Sequence, residues 1–305
     1  MTEGPSDVTA ESAARLRRLV ERLRQVGPGV SLELAPPARA WPETYIWIPE
    51  DVARANESLR RDAPGALPDY NRYVLLKLIE RFSPRENRYR LPDSIAALYP
   101  AELARIRRQV ETFEDKYFDT ANDAFRKDLA ILTHRLIPVG AEYAEGGAGI
   151  PRRLFFCGGI GQALRLLWLV LGRCRGRRPF FALHAHTLAL ADFNPRGWRA
   201  TYHRLAELLE LNPRMKGWVS ASWFLDPALE DVSPHLGYLR KVPLEGGAAL
   251  LFVCRHPDGS SGALSKSETR RRLFAEGKYV PATYMRIWPR AAVLAWRERQ
   301  SRNPA

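Results

Sequence analysis

Apolar residues recur at helical spacing through much of the first 140 positions. Leu16, Leu19, Val20 and Leu23 share one face of a helix predicted over 12–25, with Arg and Glu between them and Gly27, Pro28 and Gly29 as its stop. Beyond Pro49, the same spacing predicts helices over 51–61, 70–82, 101–117 and 121–136; in the second of these Tyr73, Leu76 and Ile79 fall on one side. Two short strands, 31–34 and 45–48, are expected around the break at Pro36 and Pro37. The pattern changes after Gly146, Gly147, Gly149 and Pro151. From there short β-rich runs at 153–157, 180–186 and 217–225 alternate with helices at 161–171 and 197–211, and a tail adds a strand at 248–253, a helix at 267–276 and a strand at 283–288. Alternation of this kind predicts βαβ units. The expected fold is α/β: a helical N-terminal region, 1–145, packed on a basic C-terminal domain, 151–305, built on a mixed, largely parallel sheet.

Charge sharpens the division. The formal net charge is +13, and residues 1–150 carry 22 basic and 23 acidic side chains against 25 and 11 for residues 151–305. The excess therefore belongs to the second half, and residues 146–191 hold seven arginines and no acidic residue. Such a field draws phosphates, carboxylates, nucleic acid or an acidic protein. Nucleic acid is disfavoured, because the arginines are dispersed among Trp, Leu and Phe and match no helix-turn-helix, RNP or zinc-finger pattern. Three scattered cysteines, Cys157, Cys174 and Cys254, build no disulfide framework, and no apolar run approaches the roughly 20 residues of a membrane span. A cytoplasmic protein with no membrane span is expected.

Three strand ends carry the candidate chemistry, since ligands of open parallel sheets gather beyond the carboxyl ends of the strands. Gly158, Gly159 and Gly161 follow the first; glycines there would let main-chain amides approach an anion, or would simply make a tight turn. Their G-G-x-G spacing departs from the dinucleotide fingerprint, and the next strand ends in His184 and His186 rather than an acidic residue, so NAD, FAD and S-adenosylmethionine are disfavoured. The two histidines lie two apart, facing one side if the strand continues through both. They serve as acid/base groups, as structural hydrogen-bond donors, or as two ligands of a metal whose third would be Asp192 or Asp226. Asp226, held extended by Pro227, is a base, an orienting group or a helix cap. Finally, Arg255 ends a strand, and Lys266, Arg270 and Arg271 crowd the start of the 267–276 helix, against the helix dipole, as an anion site or as a solvated face.

These features are expected to converge as a transferase-like site for an anionic small molecule or an acyl group borne by coenzyme A or an acidic carrier protein. His184, His186 and Asp226 would move the proton, while Gly158, Gly159, Gly161, Arg255, Lys266, Arg270 and Arg271 would hold the anion. In its order of elements the second half is similar to acyltransferase-type α/β domains, without their R/Q-x-x-G-x-G/A phosphate loop. Two alternatives come from other classes: a non-enzymatic basic module that docks an acidic protein or nucleic acid, and a metal enzyme using His184, His186 and an aspartate.

Overall fold

The computed structural model describes residues 5–26, 31–34 and 44–302. The chain forms two compact units. One holds the chain up to Pro138 together with His186–Leu188; the other holds Val139–Ala185 and the chain from Ala189 onward.

The first unit is helical: α1 (Pro5–Val26), α2 (Glu50–Asp62), α3 (Leu67–Glu80), α4 (Asp93–Ala96), α5 (Tyr99–Thr112) and α6 (Asp123–Leu132), followed by a short strand β1 (Leu136–Pro138). Helix α3 is its hub, with Tyr70, Val74 and Leu75 fully buried. A reciprocal amide pair is buried beside it: Asn56 and Asn71 each donate to the other's Oδ1 at 3.0 Å, and Asn71 also donates to the Phe118 carbonyl, which satisfies polar groups that burial would otherwise penalise. Helix α6 begins at Asp123 because Asn122 caps it, its Oδ1 accepting from the amides of Ala124 and Phe125. The two strands expected at 31–34 and 45–48 do not form. Side chains occupy their carbonyls instead: Tyr73 and Arg81 donate to Leu32 and Leu34, and Arg135 donates to Tyr45 and Trp47. The predicted stop at Gly27, Pro28 and Gly29 and the break at Pro36 and Pro37 lie outside the described residues.

The second unit opens with β2 (Tyr143–Ala148), α7 (Leu154–Cys157), α8 (Gly159–Trp168), β3 (Phe180–His184), α9 (Pro195–Leu211) and β4 (Gly217–Ser222). It continues with α10 (Leu229–Val232), α11 (Tyr238–Glu245), β5 (Ala249–Arg255), α12 (Glu268–Ala275), β6 (Ala282–Pro289) and α13 (Arg290–Arg302). Its strands lie in the order β2-β3-β4-β6-β5. Only β3 and β4 pair in parallel, Phe181 opposite Trp218 and Ala182 opposite Val219; the other neighbours are antiparallel. The α/β class holds, and a largely parallel sheet is corrected to a mostly antiparallel one with one parallel step.

The correction traces to residues 153–157. Leu154-Phe155-Phe156-Cys157 is a short apolar run whose periodicity cannot separate strand from helix. Turn bonds from Leu154 to Pro151, Phe155 to Arg152 and Phe156 to Arg153 wind it into α7, leaving Leu154 buried and Phe156 85% exposed. One face of the sheet packs Phe180, Val219, Leu251, Met285 and Ile287 against Leu166 of α8 and against Leu169 and Val170, which lie in the π-helical turn Leu169–Arg173. The other face stacks Trp218 on Tyr202 of α9 and brings Trp288 to Trp296 of α13, with the buried Arg286 guanidinium 4.5 Å from the Trp218 ring and bonded to Ser220 Oγ at 3.0 Å.

Gln162 seals the β5 edge. Its Oε1 accepts from the Phe252 amide at 2.8 Å and its Nε2 donates to the Phe252 carbonyl at 2.9 Å, giving an edge strand the partners it would otherwise lack. A Cβ on Gly158 would lie 2.5 Å from that side-chain amide, whereas one on Gly161 would meet nothing within 4 Å. Gly158→Ala is expected to cost about 1–3 kcal/mol through the displaced amide. Gly161→Ala, inside a helix, is expected to be neutral or stabilising by up to about 1 kcal/mol. Chemical denaturation of the two variants measures both.

Candidate active site

The two histidines part company. β3 ends at His184, and the chain leaves the strand before His186, so the imidazoles do not share a strand face as the sequence suggested. His184 belongs to the second unit and His186 to the first.

His186 is fully buried, as is its partner Asp128. Its Nδ1 accepts from the Leu188 amide at 3.2 Å, so the ring proton sits on Nε2, 3.0 Å from Asp128 Oδ1. Asp128 also accepts from Arg105 at 2.6 and 3.3 Å and from the Tyr117 hydroxyl. Burial opposes ionisation of this carboxyl, but the His186 bond and the Arg105 charge overcome it and hold the group below the ordinary carboxylate range. Burial, and after it the same carboxylate, pushes the Tyr117 hydroxyl up. A carboxylate that collects donors from α5, from the segment after α5 and from the 186–188 segment is a structural staple: every member is committed to another.

His184 sits differently. β2 and β3 are antiparallel with Tyr143 opposite His184 and Glu145 opposite Ala182, so Glu145 is the diagonal neighbour of His184 on one face, within reach of a long side chain. His184 Nε2 lies 2.7 Å from Glu145 Oε2; the His184 side chain is 25% exposed and that of Glu145 8%. Nε2 of His184 is thus within ion-pair distance of a nearly buried carboxylate. A carboxylate that orients an imidazole while the ring stays in reach of solvent is the arrangement general acid/base chemistry requires. Glu145 escaped the sequence reading. Its signal is a carboxylate two positions past Tyr143 in an apolar stretch, ahead of the glycines that drew attention instead.

The remaining predicted residues are distributed among other tasks. Both oxygens of the buried Asp226 are engaged by main-chain amides: Oδ1 accepts from Ala228 at 3.1 Å and Oδ2 from Ala282 at 3.0 Å, tying the turn after β4 to the start of β6. Arg270 is buried, donating to the Ala263 carbonyl at 2.5 Å and to Ser233 Oγ at 2.9 Å with its guanidinium over the Trp223 ring; Arg271 donates to the Leu264 carbonyl. The arginines that oppose the α12 dipole are thus drawn by carbonyls of the preceding loop, and Ser267 caps the helix, its hydroxyl accepting from the Arg270 amide. Arg255 and Lys266 are exposed. Gly158 makes room for Gln162, Gly159 takes a left-handed φ of 74° at the α7–α8 junction, and all three glycines are exposed. His256, next to Arg255, lies 2.9 Å from Thr283 Oγ1 and 3.7 Å from the Cys254 sulfur. Among the described residues no group of three or more His, Cys, Asp or Glu side chains is gathered to hold a metal ion. No helix among them is long and apolar enough to cross a membrane.

No protein-family model matches this sequence, and no curated protein matches it. A solved structure described as an acyltransferase in complex with decanoyl-CoA covers 92% of this chain and 99% of its own, at 13% identity and a TM-score of 0.38. A likeness of that size fixes neither fold nor activity.

Proposed function

We propose that the second unit is an enzyme that transfers an acyl group from an anionic bearer, coenzyme A or an acyl carrier, with His184 as the general base and Glu145 as the group that orients it. The observation that carries this reading is the His184–Glu145 pair at the carboxyl end of β3. β3 also makes the sheet's parallel pair with β4, and ligands of α/β sheets gather beyond the carboxyl ends of such strands. The segment that follows β3 supports an anionic bearer: Arg196 lies in the first turn of α9, which holds no acidic residue and is capped by Asn194 accepting from the Gly197 amide. In this chemistry His184 takes the proton of an amine or hydroxyl as it attacks the acyl carbonyl. The new acyl bond forms, the thioester C–S bond breaks, and the proton passes to the leaving thiolate. Glu145 stabilises the transient imidazolium. His186 and Asp226 take no part, since their polar atoms are engaged within the fold.

The test is release of free thiol from a series of acyl-CoA esters of increasing chain length, with a mixed pool of amine and alcohol acceptors, by the purified full chain. Acceptor-dependent release above the uncatalysed rate is expected for at least one ester; no release and no binding of any ester would refute the reading.

A further inference from the structure

Nine large apolar side chains stand exposed among the described residues, and six of them, Phe156, Ile160, Leu164, Leu167, Trp168 and Leu171, lie on the continuous segment from α7 through α8 into the π-helical turn after it. Phe156 and Ile160 are 85% and 82% exposed, and Trp168 is 61% exposed. At about 100° per residue, the five from Ile160 to Leu171 fall within an arc of roughly 100°, while Leu166, Leu169 and Val170 point the other way into the core. This helix is apolar on both sides, a pattern that belongs to buried helices, yet one side is bare.

We infer that this bare arc is a docking surface for an anionic phospholipid bilayer, on which the helix lies in the plane of the headgroups. Charge complementarity selects an anionic surface: Arg152, Arg153, Arg165, Arg173 and Arg175, on the same stretch of chain, are all exposed, and no acidic residue occurs between 146 and 191. Chemistry of the arc selects lipid over an acidic protein. Protein interfaces carry a hydrogen bond for every 100–200 Å² or so, whereas the arc offers no polar group besides the Trp168 indole. Gln162, on the same helix, is committed to Phe252. Trp beside Arg is the pairing that headgroup regions favour, and here the Arg173 guanidinium lies 5.7 Å from the Trp168 ring. A helix running Gly159–Arg173 is about 22 Å long, too short to span a bilayer and suited to lying on one. This inference is independent of the acyl-transfer reading.

Co-sedimentation of the full chain with vesicles tests it, using pure phosphatidylcholine and phosphatidylcholine in which phosphatidylserine makes up about one third of the lipid. Partitioning at least about tenfold stronger onto the anionic vesicles is expected, weakening as salt is raised. A Leu164→Ser, Trp168→Ser double variant and, separately, an Arg152→Glu, Arg153→Glu double variant should each lose about tenfold or more while keeping the wild-type circular dichroism, since the altered side chains are exposed. Absence of binding, equal binding to neutral vesicles, or binding unchanged in both variants would overturn the inference. So would a wild-type dimer in lipid-free solution that the Leu164→Ser, Trp168→Ser variant converts to monomer, because the arc would then be a contact between copies.

Discussion

Replacing Asp128 with Asn is expected to cost about 3–5 kcal/mol of stability, the usual consequence of removing one partner from a buried charge network. The carboxylate accepts from His186, from two guanidinium nitrogens of Arg105 and from Tyr117, so four donors converge on two oxygens. Asparagine keeps the shape but offers one accepting oxygen and turns an N–H pair toward those same donors, leaving the Arg105 charge uncompensated beside a buried amide. Against a typical total of about 5–15 kcal/mol the loss is large. Acidification exposes the same group. A carboxyl held below its unfolded value, near 3.9, contributes stability that is present above about pH 4 and lost as pH falls through the folded value. His134 adds an earlier stage: burial lowers its pKa, so the unfolded chain takes up a proton first as pH drops below about 6.5, and stability declines from there. Urea midpoints measured from pH 7 to pH 3 should fall in both stages for the wild type, and the lower stage should be blunted in Asp128→Asn. A variant within 1 kcal/mol or so of wild type at neutral pH would show that the network is not the staple its geometry describes.

The second large effect is on chemistry. His184→Ala should lower acyl transfer by about 10²–10⁴-fold, the range associated with losing a positioned general base, with some stability lost because the nearly buried Glu145 carboxylate is left without its partner. Glu145→Gln should lower the rate less, since an amide still fills the space but no longer balances an imidazolium. The loss should fall on kcat more than on KM, because neither side chain is assigned to the bearer. Steady-state thiol release separates these outcomes, and an unchanged kcat in His184→Ala would remove His184 from the mechanism.

Much of the architecture could be read from periodicity, and the failures have identifiable causes. β4, β5 and β6 were expected within three residues of where they begin and end, and α3 and α9 were placed by their apolar spacing. The β3–β4 parallel step followed from a helix-length crossover. The segment 153–157 failed because four consecutive apolar residues fit a strand or a single helical turn equally, and turn bonds back to Pro151, Arg152 and Arg153 decided the matter. The setting of His186 was hidden for a different reason: its partner Asp128 is 58 positions away in sequence, on α6. Glu145 could be noticed as a carboxylate but not joined to His184, because the diagonal between them exists only once the β2–β3 register is known. Asp226 and Arg270 showed the converse. Both carried the right chemistry for a site, and both are consumed by neighbouring backbone groups and serve the fold.

The account divides two neighbouring histidines into one that works and one that holds. The direct measurement is a crossed comparison of His184→Ala and His186→Ala, each assayed for acyl transfer per folded molecule and for unfolding free energy. The expected pattern is a catalytic loss of at least about 10²-fold for His184→Ala, with the smaller stability loss of the two because its ring is partly exposed, and a larger stability loss with preserved turnover for the fully buried His186→Ala. The reverse pattern, or two variants indistinguishable in both assays, would contradict it.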